Sequence, residues 1–61
     1  MDWISLNAKA PSESSYYEVK ATGPYAYIRG AYYDSHTDAW LYDDGSCLLA
    51  DVSRYVTHWL G

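Results

Sequence analysis

Between Ala31 and Asp51 the chain reads AYYDSHTDAWLYDDGSCLLAD, with five aspartates, four large aromatics and no lysine or arginine. Three kinds of chemistry can be drawn from these residues. The first is metal binding. Asp34, His36 and Asp38 stand two residues apart, so an extended segment points all three to one side. Two carboxylates and an imidazole suit a divalent ion, but a working site needs a further ligand and outer partners that orient the first set. A solvated turn is the preferred reading of DSHTD, and no metal is expected. The second is nucleophilic catalysis. Serine, histidine and aspartate are numerous enough to draw a triad on paper, yet the chain has no G-x-S-x-G elbow, and its isolated glycines build no phosphate-binding loop. No catalytic residue is assigned, no cofactor is expected, and the chain is not read as an enzyme. The third is recognition by charge. Carboxylates spaced along a surface imitate a row of phosphates. Tyrosines between them pack on arginine and lysine stems, and cation–π attraction adds to the ion pairs.

The charge distribution favours the third kind. Residues 1–29 balance Asp2, Glu13 and Glu18 against Lys9, Lys20 and Arg29. Residues 30–61 set Asp34, Asp38, Asp43, Asp44 and Asp51 against Arg54 alone, so the whole net charge of −4 lies in the second half. Nucleic-acid affinity rests on neutralising phosphates with a basic patch, which this chain lacks. Direct binding to DNA or RNA is therefore not expected, whereas an acidic field steers toward a basic partner. The residues assigned to partner binding are Asp34, Asp38, Asp43 and Asp44 for charge, and Tyr32, Tyr33 and Tyr42 for contact.

The 61 residues make one small domain, 1–61. A chain this short buries only about 60% of its unfolded surface, which leaves little room for a deep cleft. Its core inventory is eight Tyr and three Trp with no Phe. Tyr and Trp carry a large apolar body and one polar handle, so they suit the rim of a core or a contact surface. Cys47, the one cysteine, excludes an intramolecular disulfide and a multi-cysteine zinc site; within SCLLA it reads as a small buried hydrophobe. A lone thiol suits a reducing cytoplasm. MDWISLNAKAPSE lacks the pattern of a signal peptide, and no apolar run is long enough to span a membrane.

The elements that must hold these residues are mainly strands. DWISL reads as an N-terminal anchor and NAKAPSESS as a loop. Tyr16–Thr22 alternates as a strand, with Tyr17, Val19 and Ala21 on one face. Gly23–Pro24 is punctuation. Tyr25–Asp34 reads as a long second strand bent at Gly30, with Ile28 and Tyr32 on one face and Tyr25, Tyr27 and Tyr33 on the other. Asp38–Tyr42 is a third strand, Asp43–Gly45 a hairpin turn, and SCLLA a fourth strand. The result is an antiparallel meander of three to four strands, mainly β, with α+β as the alternative. The alternative comes from the tail. Val52, Tyr55, Val56, Trp59 and Leu60 keep a helical spacing with Asp51 as N-cap, while the Val, Thr, Tyr and Trp content favours a strand.

WIS near the start, Pro11, AYYD with Trp40 in the middle and VTHW near the end resemble a family of small phage and prophage proteins of unestablished activity. Its members begin with W-I-S and end in V-T-H-W. The matching positions are Trp3, Ile4, Ser5, Pro11, Val19, Tyr32, Tyr33, Asp34, Trp40, Val56, Thr57, His58 and Trp59. The chain departs from the family at KAP, where members read R-L-P, and in lacking their Pro-containing tail. The resemblance implies a phage-associated origin and a compact, mostly β fold, with the tail as an extended segment beside DWISL. It implies no reaction. By size and charge alone the chain is also similar to acidic anti-CRISPR and anti-restriction inhibitors. The expected function is a phage-encoded inhibitor of host defence that occupies a basic nucleic-acid-binding groove as a DNA mimic. A CRISPR surveillance complex subunit is the first partner considered. The alternative is a phage accessory module acting by protein association or self-association.

Overall fold

The computed structural model describes residues 1–45 and 48–61. Six strands form one sheet: β1 (Trp3–Ser5), β2 (Ser15–Ala21), β3 (Gly30–Asp34), β4 (Ala39–Asp43), β5 (Leu49–Asp51) and β6 (Val56–Leu60). Their order is β1-β6-β2-β3-β4-β5, and every neighbouring pair is antiparallel. The fold is thus mainly β. The meander expected from the turn signals is β2 to β5. Beside it, β6 returns across the whole chain to lie between β2 and β1. No helix among the described residues is long and apolar enough to cross a membrane.

The tail is a strand, and the reason its sequence imitates a helix is visible. Lys20 faces His58 while Ala21 faces Val56, so β6 carries one extra residue, a bulge at Thr57. The bulge turns both Val56 and Trp59 to the core although they are three residues apart. Before the strand, Tyr55 and Val56 both donate their N–H to the carbonyl of Val52, a single turn that is not continued. Asp51 does not cap a helix. Its carboxylate accepts the Ser53 N–H at 3.0 Å and closes a turn.

The long strand expected over Tyr25–Asp34 is only half formed. Gly23, at φ 65, and Pro24 start a 3-10 turn over Gly23–Tyr25, extended by Ile28 N–H donating to the Tyr25 carbonyl at 3.1 Å. A left-handed glycine followed by a proline of fixed φ folds the chain back before pairing can begin. The faces shift accordingly. Ile28 joins Tyr33 in the core, and Tyr32 turns outward. The fourth strand begins at Leu49; the Ser46–Cys47 part of SCLLA lies outside the described residues, and with it the role assigned to Cys47.

The core consists of Val19, Ile28, Ala31, Tyr33, Trp40, Val52, Val56 and Trp59. Its aromatic centre is Tyr33 against Trp40 at 4.9 Å, with Tyr17 edge-on to Trp40 and Trp59 at 6.1 and 5.3 Å. Two of the polar handles tie loops to the sheet. Tyr17 Oη donates to the Glu13 carbonyl at 3.0 Å, and Trp59 Nε1 donates to the Lys9 carbonyl at 2.9 Å, which ties the long loop to β6. Among the described residues no buried side-chain nitrogen or oxygen lacks a partner. Phenylalanine would leave these loops untied, which accounts for Tyr and Trp in its place. The aromatic content also carries the stability. Removing Trp40 to Ala costs about 3–5 kcal/mol, against roughly 3–9 kcal/mol for a whole domain of this size.

Candidate interaction surface

Each aspartate of the acidic stretch occupies a defined backbone position. Asp34 ends β3, and its Oδ1 accepts the N–H of His36 at 2.9 Å. Asp43 ends β4, and its Oδ1 accepts the N–H of Gly45 at 2.8 Å. Asp51 ends β5 in the same way with Ser53. Three successive strands therefore stop at an Asx turn, in which a carboxylate replaces the next ladder acceptor. The hydroxyl and N–H of Ser53 hold the Asp51 carboxyl below its usual range. Asp38 differs. It has φ 55, a left-handed conformation that aspartate tolerates, and its Oδ1 accepts the Tyr33 hydroxyl at 2.5 Å. That bond, with burial, pushes the Tyr33 phenol up to about 12. Turn chemistry thus accounts for the positions of Asp34 and Asp51 as well as Asp43, whereas sequence reasoning had given a hairpin-turn role to Asp43 alone of the three and had assigned Asp34 to partner binding.

The strand register decides which of these residues share a face. Tyr16 on β2, Tyr32 on β3, Leu41 on β4 and Asp51 on β5 form one cross-strand row. Alternation along β3 and β4 brings Asp34 and Asp43 to the same outward face. Asp34 lies level with Ala39, so Asp43 is displaced from it along the strands by about 14 Å at ~3.4 Å per residue. The face is apolar between its acids. The ring of Tyr16, 65% exposed, lies over Gly30 so closely that a Cβ there would meet its Cε1 at 2.8 Å. Glycine at this position lets the ring cover the strand.

The other assigned residues fall elsewhere. Tyr33 is a core residue at 4% exposure, and its contact is with Trp40. Tyr42 belongs to a cluster at the rim of the core. Its ring meets Tyr25 at 6.4 Å and Tyr27 at 6.1 Å, and Tyr25 meets Tyr55 at 5.2 Å. Burial, first, and then the neighbouring Tyr27 raise the Tyr42 phenol. Asp44 is exposed on the turn after β4, close enough for its charge to act on Tyr42. Asp34, His36 and Asp38 do not converge, and among the described residues no group of three or more His, Cys, Asp or Glu is placed to hold a metal ion. Sequence reasoning overlooked Tyr16 and Asp51 on the outer face. The signal for Asp51 was present: D-S-H, D-D-G and D-V-S each follow a strand with aspartate and a turn residue.

The two end motifs are cross-strand partners. Trp3, Ile4 and Ser5 pair with Leu60, Trp59 and His58. His58 Nδ1 and Thr57 Oγ1 are hydrogen-bonded at 2.8 Å, and Thr57 Oγ1 donates to the Lys20 carbonyl at 3.3 Å. W-I-S and V-T-H-W thus form a structural seam, with the histidine bonded along its own strand. No family model, curated protein or solved structure matches the chain.

Proposed function

We propose that this chain is a binding protein whose acidic, tyrosine-bearing outer face docks on the basic nucleic-acid-binding surface of a host protein and excludes DNA from it. One observation carries the reading. Asparagine closes an Asx turn as well as aspartate does, yet Asp34, Asp43 and Asp51 are all charged and frame Tyr16, Tyr32 and Leu41 on one face. Like charges gathered on a small domain oppose its compact state, so a charge that the turn does not need calls for a partner that does. The phage origin, and an anti-CRISPR inhibitor acting on a surveillance-complex subunit as the specific case, rest on the W-I-S and V-T-H-W resemblance and on size and charge.

The test uses asparagine because it spares the turns. Immobilised wild-type chain and an Asp34→Asn/Asp43→Asn/Asp51→Asn variant are offered bacterial lysate, and bound proteins are identified by mass spectrometry. The wild type retains a nucleic-acid-binding protein that duplex DNA displaces, and the variant does not retain it. Equal retention by both chains, or retention indifferent to DNA, overturns the reading. The second reading, association without mimicry, is favoured by Leu49 of the edge strand β5 and Leu48 just before it, both exposed. Binding of that kind survives high salt, because burial of apolar area is not screened.

A further inference from the structure

A separate surface feature lies away from the acidic turns. A groove of about 650 Å³ opens between the end of β2 and the Ala26–Arg29 segment, with Trp3 of β1 on its far side. Its accessible apolar lining is Trp3, Ala21 and Ala26, while Val19 and Ile28 border it as core residues at 2% exposure. Three charged residues, Glu18, Lys20 and Arg29, line it. Half of the four basic residues of this acidic chain therefore line one groove. Lys20 Nζ stands 4.6 Å from the centroid of the Trp3 ring, within cation–π range, so its ammonium is held at the groove wall. Trp3 itself remains 41% exposed.

We propose that this groove is a binding site for a small organic monoanion, a carboxylate carried on a flat apolar body. The volume lies within the roughly 300–1,000 Å³ typical of small-molecule pockets. The Arg29 guanidinium offers the planar fork that fits a carboxylate, and Lys20 adds a point charge. The apolar body lies against the exposed Trp3 indole and the methyl groups of Ala21 and Ala26. Glu18 sets the charge of the ligand. With two cations and one carboxylate the lining has a formal charge of +1, which suits a monoanion and repels the second charge of a phosphate dianion. The proposal does not depend on the acidic face, since Asp34, Asp43 and Asp51 take no part in it.

The probe is 1-naphthoate, titrated into the 15N-labelled chain and followed by NMR. Neutral 1-naphthalenemethanol and inorganic phosphate are titrated in parallel. Saturable shifts are expected at the Trp3 indole N–H and at the amides of Lys20 and Arg29. Naphthoate binds more tightly than either control. Lys20→Gln and Arg29→Gln each weaken it about threefold, the range of an exposed ion pair, and Asp43→Asn leaves it unchanged. Lys20 and Arg29 are exposed, so the variants keep the amide dispersion of the folded chain. Naphthoate that produces no saturable shift, or that shifts residues outside the groove, overturns the site. Equal binding of the neutral alcohol, or indifference to both Gln variants, overturns the role of the cations, and tighter binding of phosphate overturns the role of Glu18.

Discussion

The Tyr33–Asp38 hydrogen bond sets two opposing contributions on one residue, and a mutant cycle separates them. At 2.5 Å it is a short, charge-assisted bond between a core phenol and an exposed carboxylate. Bonds to charged groups contribute about 1.5–3 kcal/mol. Solvent rehydrates the exposed Asp38 when its partner is lost, so Tyr33→Phe should cost about 1.5 kcal/mol, the lower end. Asp38 also holds φ 55, and a left-handed L-residue carries about 1–2 kcal/mol of strain, reduced for aspartate. Asp38→Gly loses the bond but relieves the strain, for a net loss of about 0.5 kcal/mol. Asp38→Ala loses the bond and keeps the strain, at about 2 kcal/mol or more. In the Asp38→Gly background, Tyr33→Phe should cost almost nothing further, giving a coupling near 1.5 kcal/mol. Urea unfolding of the four chains of the cycle measures it. The sign with pH follows from the phenol. Its folded value is raised above the ordinary 10.0 to about 12, so the contribution is complete below pH 10 and is lost as pH rises toward 12. The gap between wild type and Tyr33→Phe therefore closes across that window. A coupling under about 0.3 kcal/mol, or a gap that stays constant through the window, would refute the reasoning.

Other outcomes follow from the same geometry. Asp34→Asn, Asp43→Asn and Asp51→Asn should each change stability by less than about 0.5 kcal/mol, because the turn acceptor is kept; the alanine counterparts should cost about 1 kcal/mol, and equal values for the two series would show that the turns do not depend on the side chain. Trp59→Phe removes the donor to the Lys9 carbonyl and should cost about 1–2 kcal/mol, with faster amide exchange in the loop before Pro11 as its signature. Gly23→Ala should cost at least about 1 kcal/mol, because φ is 65 there and a Cβ would lie 3.1 Å from the Tyr55 ring. Gly30→Ala should be nearly neutral, since only the exposed Tyr16 ring has to move, and a cost above about 1.5 kcal/mol would mean that the ring is fixed in place.

Much of this fold is legible in the chain, and the failures have physical causes. Alternation places Tyr17, Val19 and Ala21 correctly, and D-D-G marks the turn after β4. The tail misleads because a bulge gives a strand the spacing of a helix, and bulges have no signature in hydrophobic period. Tyr25–Arg29 misleads because its tyrosines have strand propensity while Gly23–Pro24 commits the backbone to a turn. The site was harder to read than the fold. Tyr32 and Tyr33 are adjacent and chemically identical, yet one faces solvent and the other the core; only the register distinguishes them. The acids suggested a partner because their turn duties depend on where each strand stops, and strand ends are the weakest part of any pattern. The Lys20–Arg29 groove was invisible, because the two cations are nine positions apart and meet only through the fold-back at Pro24.

The position of β6 governs how the molecule comes together. Ile4 and Trp59 are neighbours in the sheet, so the last strand to be specified is the one that joins the first to the rest. The meander β2–β5 can pair by short hairpins, but its core lacks Val56 and Trp59 until β6 arrives. Closing so long a loop must precede any gain from those contacts. Folding is therefore expected to be two-state, with the pairing of β6 as a late step. Near the native state there is no stable half-molecule to populate, and amides at the two chain ends should exchange with the same free energy as those of the central strands.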